Sequence, residues 1–225
     1  MKLLPVLFLA AAAATLPATA HAADFEGKIR MKMTEPRGGA RNLDYSIKPG
    51  LVRADIAIGD GQNMSTIMNS TKKEVVVLMP GQKMYFTSTL SDVADAAAEH
   101  AGSLEKTGET TEILGYDCTK YIARDKGTTT EIWATDELGT FAGFSAANPM
   151  GRKKSAGPGW EQALKGGNFF PLRVVTLNKK GAEQFRMEAV SIDKGAQPDS
   201  LFEVPAGYQA FNLGGLMKGL LPGSR

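Results

Sequence analysis

The stretch Phe25-Glu26-Gly27-Lys28-Ile29-Arg30-Met31-Lys32-Met33 decides the fold. Phe25, Ile29, Met31 and Met33 fall on alternate positions, and Glu26, Lys28, Arg30 and Lys32 fall between them. Successive side chains of a strand point to opposite faces, so this alternation predicts a strand with one dry face and one wet face. Leu43, Tyr45 and Ile47 repeat the pattern. Pro49-Gly50 then supplies a turn, because Pro fixes the first central position and Gly takes the positive φ. Val52, Ala54 and Ile56 follow, with Arg53 and Asp55 outward, and Gly59-Asp60-Gly61 turns the chain again. Met64, Thr66 and Met68 make the next dry face. A more continuous apolar run covers Glu74 to Met79, and Pro80-Gly81 leads into Lys83 to Thr87. Six strands joined by short turns predict an antiparallel meander.

From Ser91 to Leu104 the pattern changes period. Leu90, Val93, Ala97, Ala101 and Leu104 share one helical face, and Ser91 or Asp92 is suited to cap its start. This predicts one helix packed on the sheet. Strands return at Thr111 to Leu114, Asp117 to Ala123 and Thr128 to Ala134. Cys118 and Tyr121 are out of phase within the second of these, which a bulge would reconcile. Leu172 to Leu177 and Gln184 to Ile192 predict a hairpin around Asn178-Lys179-Lys180-Gly181, and Leu201 to Pro205 closes the folded part.

The N-terminus reads as an export signal. Met1 and Lys2 form a positive start, Leu3 to Ala14 an apolar core, Pro17 a break and Ala20-His21-Ala22 a small-x-small cleavage site. The apolar run is shorter than the roughly 20 residues that span a bilayer. Cleavage after Ala22 is therefore expected, and no Cys near that site is available for a lipid anchor. The expected destination is the periplasm, with secretion as the alternative. Residues 23–208 are of a length to form a single domain. With 26 Lys+Arg against 24 Asp+Glu, the formal net charge is +2 and gives no electrostatic reason to expect nucleic acid as a partner. Cys118 is the only cysteine, so no internal disulfide forms. It is either a small buried residue or a reactive or bridging thiol.

Two segments stand apart. Residues 141–168 form a long loop rich in Gly, Ala and Pro, of the kind used for lids and binding loops, with a helical turn expected over Trp160 to Lys165. Its Arg152-Lys153-Lys154 could make transient contact with a membrane surface, each charge contributing about 1 kcal/mol, or simply be solvated. The tail at 209–225 is expected to be a flexible Gly/Leu-rich segment. It carries Leu213, Leu216, Met217, Leu220 and Leu221 at helical spacing. Gly214, Gly215 and Gly219 each cost a helix about 1 kcal/mol relative to Ala. Such a stripe either plugs the sheet or belongs to a disordered end.

Three fragments carry a family resemblance. They are Ile113-Leu114-Gly115-Tyr116-Asp117-Cys118-Thr119-Lys120-Tyr121, the short run Glu131-Ile132-Trp133, and Leu201-Phe202-Glu203-Val204-Pro205-Ala206-Gly207-Tyr208, with Phe169-Phe170-Pro171-Leu172 between the last two. In this order they resemble a family of exported bacterial proteins known only as a domain of unknown function. That family in turn looks like a distant relative of the lipoprotein carriers LolA and LolB. The resemblance implies a mainly β (α+β) fold: a curved antiparallel sheet, an unclosed β-barrel, with one or two helices on the concave side. It implies acyl-chain binding in the concavity and carries over no catalytic residue.

The residues themselves suggest where an apolar ligand would lie. Ile29, Met31, Met33, Tyr45, Ile56, Met64 and Met68 fall on predicted dry faces, with Trp133 as an aromatic rim. Thioethers adapt to variable shapes, which suits a lipid pocket; the same residues would equally fill an ordinary core. Soft sulfur in Met31-x-Met33 is the one feature that favours a metal, Cu(I). His100 is the only histidine after the signal and there is no Cys pair, so zinc lacks ligands and no metal or cofactor is expected. Cys118 and His100 are the only thiol–imidazole pair, with nothing to place them in reach of each other, and no nucleophile, phosphate-loop or dinucleotide motif is present. The expectation is a non-catalytic periplasmic binding or carrier protein for a lipid or other apolar molecule. The alternative is an envelope structural or interaction protein with a filled core.

Overall fold

The computed structural model describes residues 25–36, 38–59, 62–90, 103–125, 127–139, 141, 159–164 and 169–211. The expected signal peptide, most of the expected helix at 91–104, Arg152-Lys153-Lys154 and the Leu/Met stripe of the tail lie outside these residues.

Twelve strands form one sheet. In chain order they are β1 (Gly27–Glu35), β2 (Gly39–Lys48), β3 (Leu51–Gly59), β4 (Gln62–Asn69), β5 (Glu74–Met79), β6 (Met84–Thr89), β7 (Ser103–Ile113), β8 (Tyr116–Asp125), β9 (Thr128–Thr135), β10 (Phe170–Asn178), β11 (Glu183–Lys194) and β12 (Gln209–Ala210). Across the sheet they run β12-β6-β5-β4-β3-β2-β1-β11-β10-β9-β8-β7. Two meanders meet where β1 pairs antiparallel with β11. Every other pairing is antiparallel too, except β12, which runs parallel to β6. The sheet does not close on itself: β7 and β12 are its two ends. One short helix, α1 (Gly159–Leu164), lies where a helical turn was expected.

The first six strands stand where alternation placed them. Cross-strand partners share a face, so the register converts six local patterns into rows. Ile29 pairs with Tyr45, Tyr45 with Ala54, Ala54 with Thr66, Thr66 with Val77 and Val77 with Phe86. All six are buried, and this row defines the core face. One residue along, Arg30, Asp44, Asp55, Ser65, Leu78 and Tyr85 form the matching row on the outer face. Arg30 and Asp44 are ion-paired there at 2.7 Å. The main core joins Ile29, Met31, Leu43 and Tyr45 to Ile132, Phe170, Leu172, Val174 and Met187 across both meanders. Each such side chain contributes about 1.5–3 kcal/mol on burial, which is what holds the two meanders together.

Two expectations are corrected. The helix expected as far as Leu104 does not reach it, because Ser103 and Leu104 already belong to β7, paired with Arg124 and Ala123. Leu104 packs against the main core from that strand. Pairing along the full length of β8 supplies more than a last helical turn could. The irregularity near Cys118 lies in the neighbouring strand. β8 pairs with β9 from Thr119 to Asp125 without a shift. β7 instead skips residues between Lys106, opposite Tyr121, and Thr110, opposite Thr119. Gly108 at φ 84° makes that bulge possible.

The chain does not end its fold at Pro205. A 3-10 turn at Asp199–Phe202 lays the closing segment on the outer face. Phe202 packs there on Ile67, Val76 and Leu78, with Leu201, Val204 and Tyr208 beside it. The Arg53 guanidinium donates to the Leu201 carbonyl at 2.9 Å and chelates Asp55. The strap then turns onto the end of the sheet. Gln209 N–H donates to Lys83 O and Phe211 N–H to Tyr85 O, so β12 occupies part of the edge that β6 would otherwise expose.

Candidate functional site

The structure gathers seven of the eight residues expected to meet an apolar ligand on the core face, but in two different states. Ile29, Met31 and Tyr45 are 0% exposed and Met33 is nearly so. They sit inside the main core, in contact with both meanders. Ile56, Met64 and Met68 are only partly buried. Trp133 is partly buried and packs against the main core from the other face of β9. Its neighbours across the sheet are Lys120 and Arg173, and Arg173 in turn pairs with Glu188, so it lies in a charged row. The Lys120 ammonium lies 5.5 Å from its ring. Ile132, one residue earlier, takes the fully buried place beside Val174.

The partly buried group forms a patch over β3 to β6. Ile56 pairs with Met64, Val52 with Met68, and Met68 with Val75. Met79 pairs with Met84 across the next hairpin. At the centre Val75, Val77 and Phe86 are buried, and Met64, Met68, Met79 and Leu90 pack round them. Unbranched thioethers thus border a firm β-branched and aromatic floor, the arrangement that best follows a flexible apolar shape. Sequence reading put Val52 on a dry face but did not count it, Met79 or Met84 among the ligand contacts. In the run Glu74 to Met79 nearly every residue is apolar, so no alternation showed which residues face the core. Pairing settles it: Val75 and Val77 face the core, while Val76 and Leu78 meet the strap.

An aromatic cluster joins Tyr45 of β2 to the second meander and to α1. Tyr45 meets Phe170 edge-on at 5.3 Å, Phe170 meets Phe141 at 5.6 Å, and Phe141 stacks on Trp160 of α1 at 6.0 Å. Trp160 also stacks on Phe185, and Tyr121 on Phe169. Glu161 is buried in the same helix. Burial, and then the Glu161 charge, push the Tyr45 hydroxyl well above its ordinary pKa, so it is a neutral donor. It meets no hydrogen-bond acceptor among the described residues.

Two cavities of about 240 Å³ each lie elsewhere. One is on the outer face between Arg30, Asp44, Arg53, Asp55 and Leu201, where the arginines are already paired with the aspartates. The other lies under α1, between Trp160, Asp125 and the hydroxyls of Thr128, Thr130 and Thr176. Thr130 and Thr176 bond each other at 3.0 Å. Cys118 is buried, and burial followed by Asp117 pushes its thiol up to about 11, so it is protonated at neutral pH and a poor nucleophile. Among the described residues no three His, Cys, Asp or Glu side chains are grouped as metal ligands. No helix among them is long and apolar enough to cross a membrane.

A family model described as a domain of unknown function, DUF4412, matches residues 25–208. That range ends on the tyrosine of the strap. No curated protein matches the chain by sequence. Among solved structures, one of PNGF-II is similar at a TM-score of 0.52 and 16% identity, over 86% of this chain. The match covers 32% of that protein, so the likeness is one of fold to a part of it. An uncharacterized conserved protein from Thermus thermophilus is similar at 0.49 and 14% identity, over 83% of this chain and 90% of that one. A putative outer membrane lipoprotein-sorting protein domain from Vibrio parahaemolyticus is a distant likeness, at 0.31 and 7% identity over 80% and 89% of the two chains.

Proposed function

The chain belongs to the DUF4412 family, whose description assigns no activity, and we propose from the site itself that it is a non-catalytic binding or carrier protein for an apolar ligand. The ligand would be a lipid or lipid-linked molecule, met in the cell envelope after export. The observation that carries this reading is the patch over β3 to β6. Val52, Ile56, Met64, Met68, Met79 and Leu90 are partly buried around a buried floor, on the same face as the main core. The ligand contacts are therefore assigned to Ile56, Met64 and Met68, with Ile29, Met31, Met33 and Tyr45 as the packed support behind them. Trp133, packed against the same core, adds to that support. An acyl chain laid over such a patch gains about 0.8 kcal/mol per buried methylene, so about ten methylenes suffice for micromolar binding.

Titration of the mature protein with a fluorescent fatty acid tests this. Wild type should bind in the micromolar range. Met64→Gln combined with Met68→Gln should weaken binding by about tenfold, with the fold intact by circular dichroism, since two polar groups would lose water on ligand contact. Wild-type binding that ignores the double substitution, or no binding at all, contradicts the reading. A second reading is favoured by the closed packing of Ile29, Met31 and Tyr45: an interaction protein whose core holds only its own side chains. It predicts no displaceable lipid under any condition.

A further inference from the structure

The β7–β8 hairpin carries a residue that neither the core nor the ligand patch accounts for. Its two-residue turn is Leu114-Gly115, with φ of 53° at Leu114 and 83° at Gly115. Positive φ at both central positions is the type I′ geometry, which Asn-Gly or Gly-Gly adopts readily and a branched apolar residue does not. Buried contact is the usual compensation for such a residue. Leu114 instead stays 49% exposed, while Ile113 and Tyr116 on either side of the turn are buried. A local rule broken without a packing gain is the mark of a residue held for an outside contact.

The surroundings of the tip state the chemistry of that contact. Glu112 and Asp117 stand directly opposite each other beneath the turn, both exposed. Like charges in facing positions disfavour a hairpin, and neither makes an ion pair among the described residues. The β8–β9 ladder ends at the Thr119–Ala134 pair, and Asp136 and Glu137 follow the end of β9, both exposed. The Lys194 ammonium lies 5.3 Å from the Tyr116 ring. The tip is thus an apolar knob in an acidic collar. An anionic membrane surface would repel that collar.

We propose that Leu114 is a docking knob for a protein partner, seated in an apolar pocket whose rim carries Lys or Arg side chains opposite Glu112 and Asp117. The contact is independent of the ligand patch, which lies in the other meander. Leu114→Asn separates docking from folding, since Asn suits the turn better than Leu: the variant should melt no lower than wild type and still fail to dock.

The experiment places the photo-crosslinking residue p-benzoylphenylalanine at position 114 of the full chain in cells, with position 180 at the β10–β11 turn as control. The result expected is one protein adduct specific to position 114, mapped by mass spectrometry to an apolar pocket bordered by basic residues. Glu112→Lys with Asp117→Lys should reduce it by at least about tenfold, because like charges would then face each other across the contact. Excess wild-type protein should compete the adduct away in extracts, and Leu114→Asn protein should not. No specific adduct, an adduct to lipid, an adduct indifferent to charge reversal, or competition by Leu114→Asn as good as wild type would each overturn the proposal.

Discussion

Gly27 has no room for a side chain. A Cβ there would lie 2.5 Å from the Asp193 carbonyl oxygen, 2.9 Å from the Phe25 ring and 3.1 Å from the Lys194 Cα. Two of those neighbours are backbone of β11, so the strand pairing that joins the meanders would have to shift. Gly27→Ala should therefore lower stability by about 1–3 kcal/mol, while Gly81→Ala, with open space around it, should stay within about 0.5 kcal/mol. Urea midpoints of the two variants check this, and equal midpoints would refute the packing argument. Cys118 gives a prediction in pH. Its folded pKa is raised to about 11 from an ordinary 9.0. Below pH 9 the thiol holds its proton in both states. Between the two values the unfolded chain loses it and the folded chain keeps it, so stability falls as pH rises. Tyr45, also raised, adds to the fall above pH 10. Melting temperatures should drop from about pH 9 to about pH 11, and Cys118→Ala should flatten the part below about pH 10. At residue scale the alternation in 25–33 was enough to find Ile29 and Met31. It says nothing of Trp133, which lies under a lysine stem on the other face from Ile132.

The strap is the element whose role only the fold reveals. Its sequence, Leu201 to Tyr208, closes the range matched to the family, yet its local pattern says nothing of where it packs. Phe202 sits on strands far earlier in the chain, and Arg53 fixes Leu201 from β3. Phe202→Ala should cost about 3 kcal/mol, at the lower end for a buried aromatic, and should unfasten β12 from β6. Hydrogen exchange at Gln209 and Phe211 reports the release: faster exchange there, with β1 and β11 unchanged, is the expected outcome. Uniform loss of protection would mean the strap is inseparable from the rest. The strand at 103–113 was legible only in its last three residues. Leu104 fits the helical stripe of the residues before it, and its pairing with Ala123 is a long-range fact that a local window does not contain.

At the scale of the whole molecule, β1 and β11 are the seam on which the sheet depends. Ile29 to Met33 pair with β2 on one side and β11 on the other, so one strand serves both meanders. The open antiparallel sheet follows from the alternation and from the family resemblance. The division of its core face does not: which half is closed and which half offers methionines depends on packing between distant segments. That division is the centre of the functional account. Its most direct test is native mass spectrometry of the mature protein, taken from the cell envelope without detergent and then extracted with organic solvent. An added mass that extracts as lipid is expected, and it should be lost in the Met64→Gln, Met68→Gln protein. A wild-type protein of bare polypeptide mass, which also leaves a fluorescent fatty acid unbound, would contradict it.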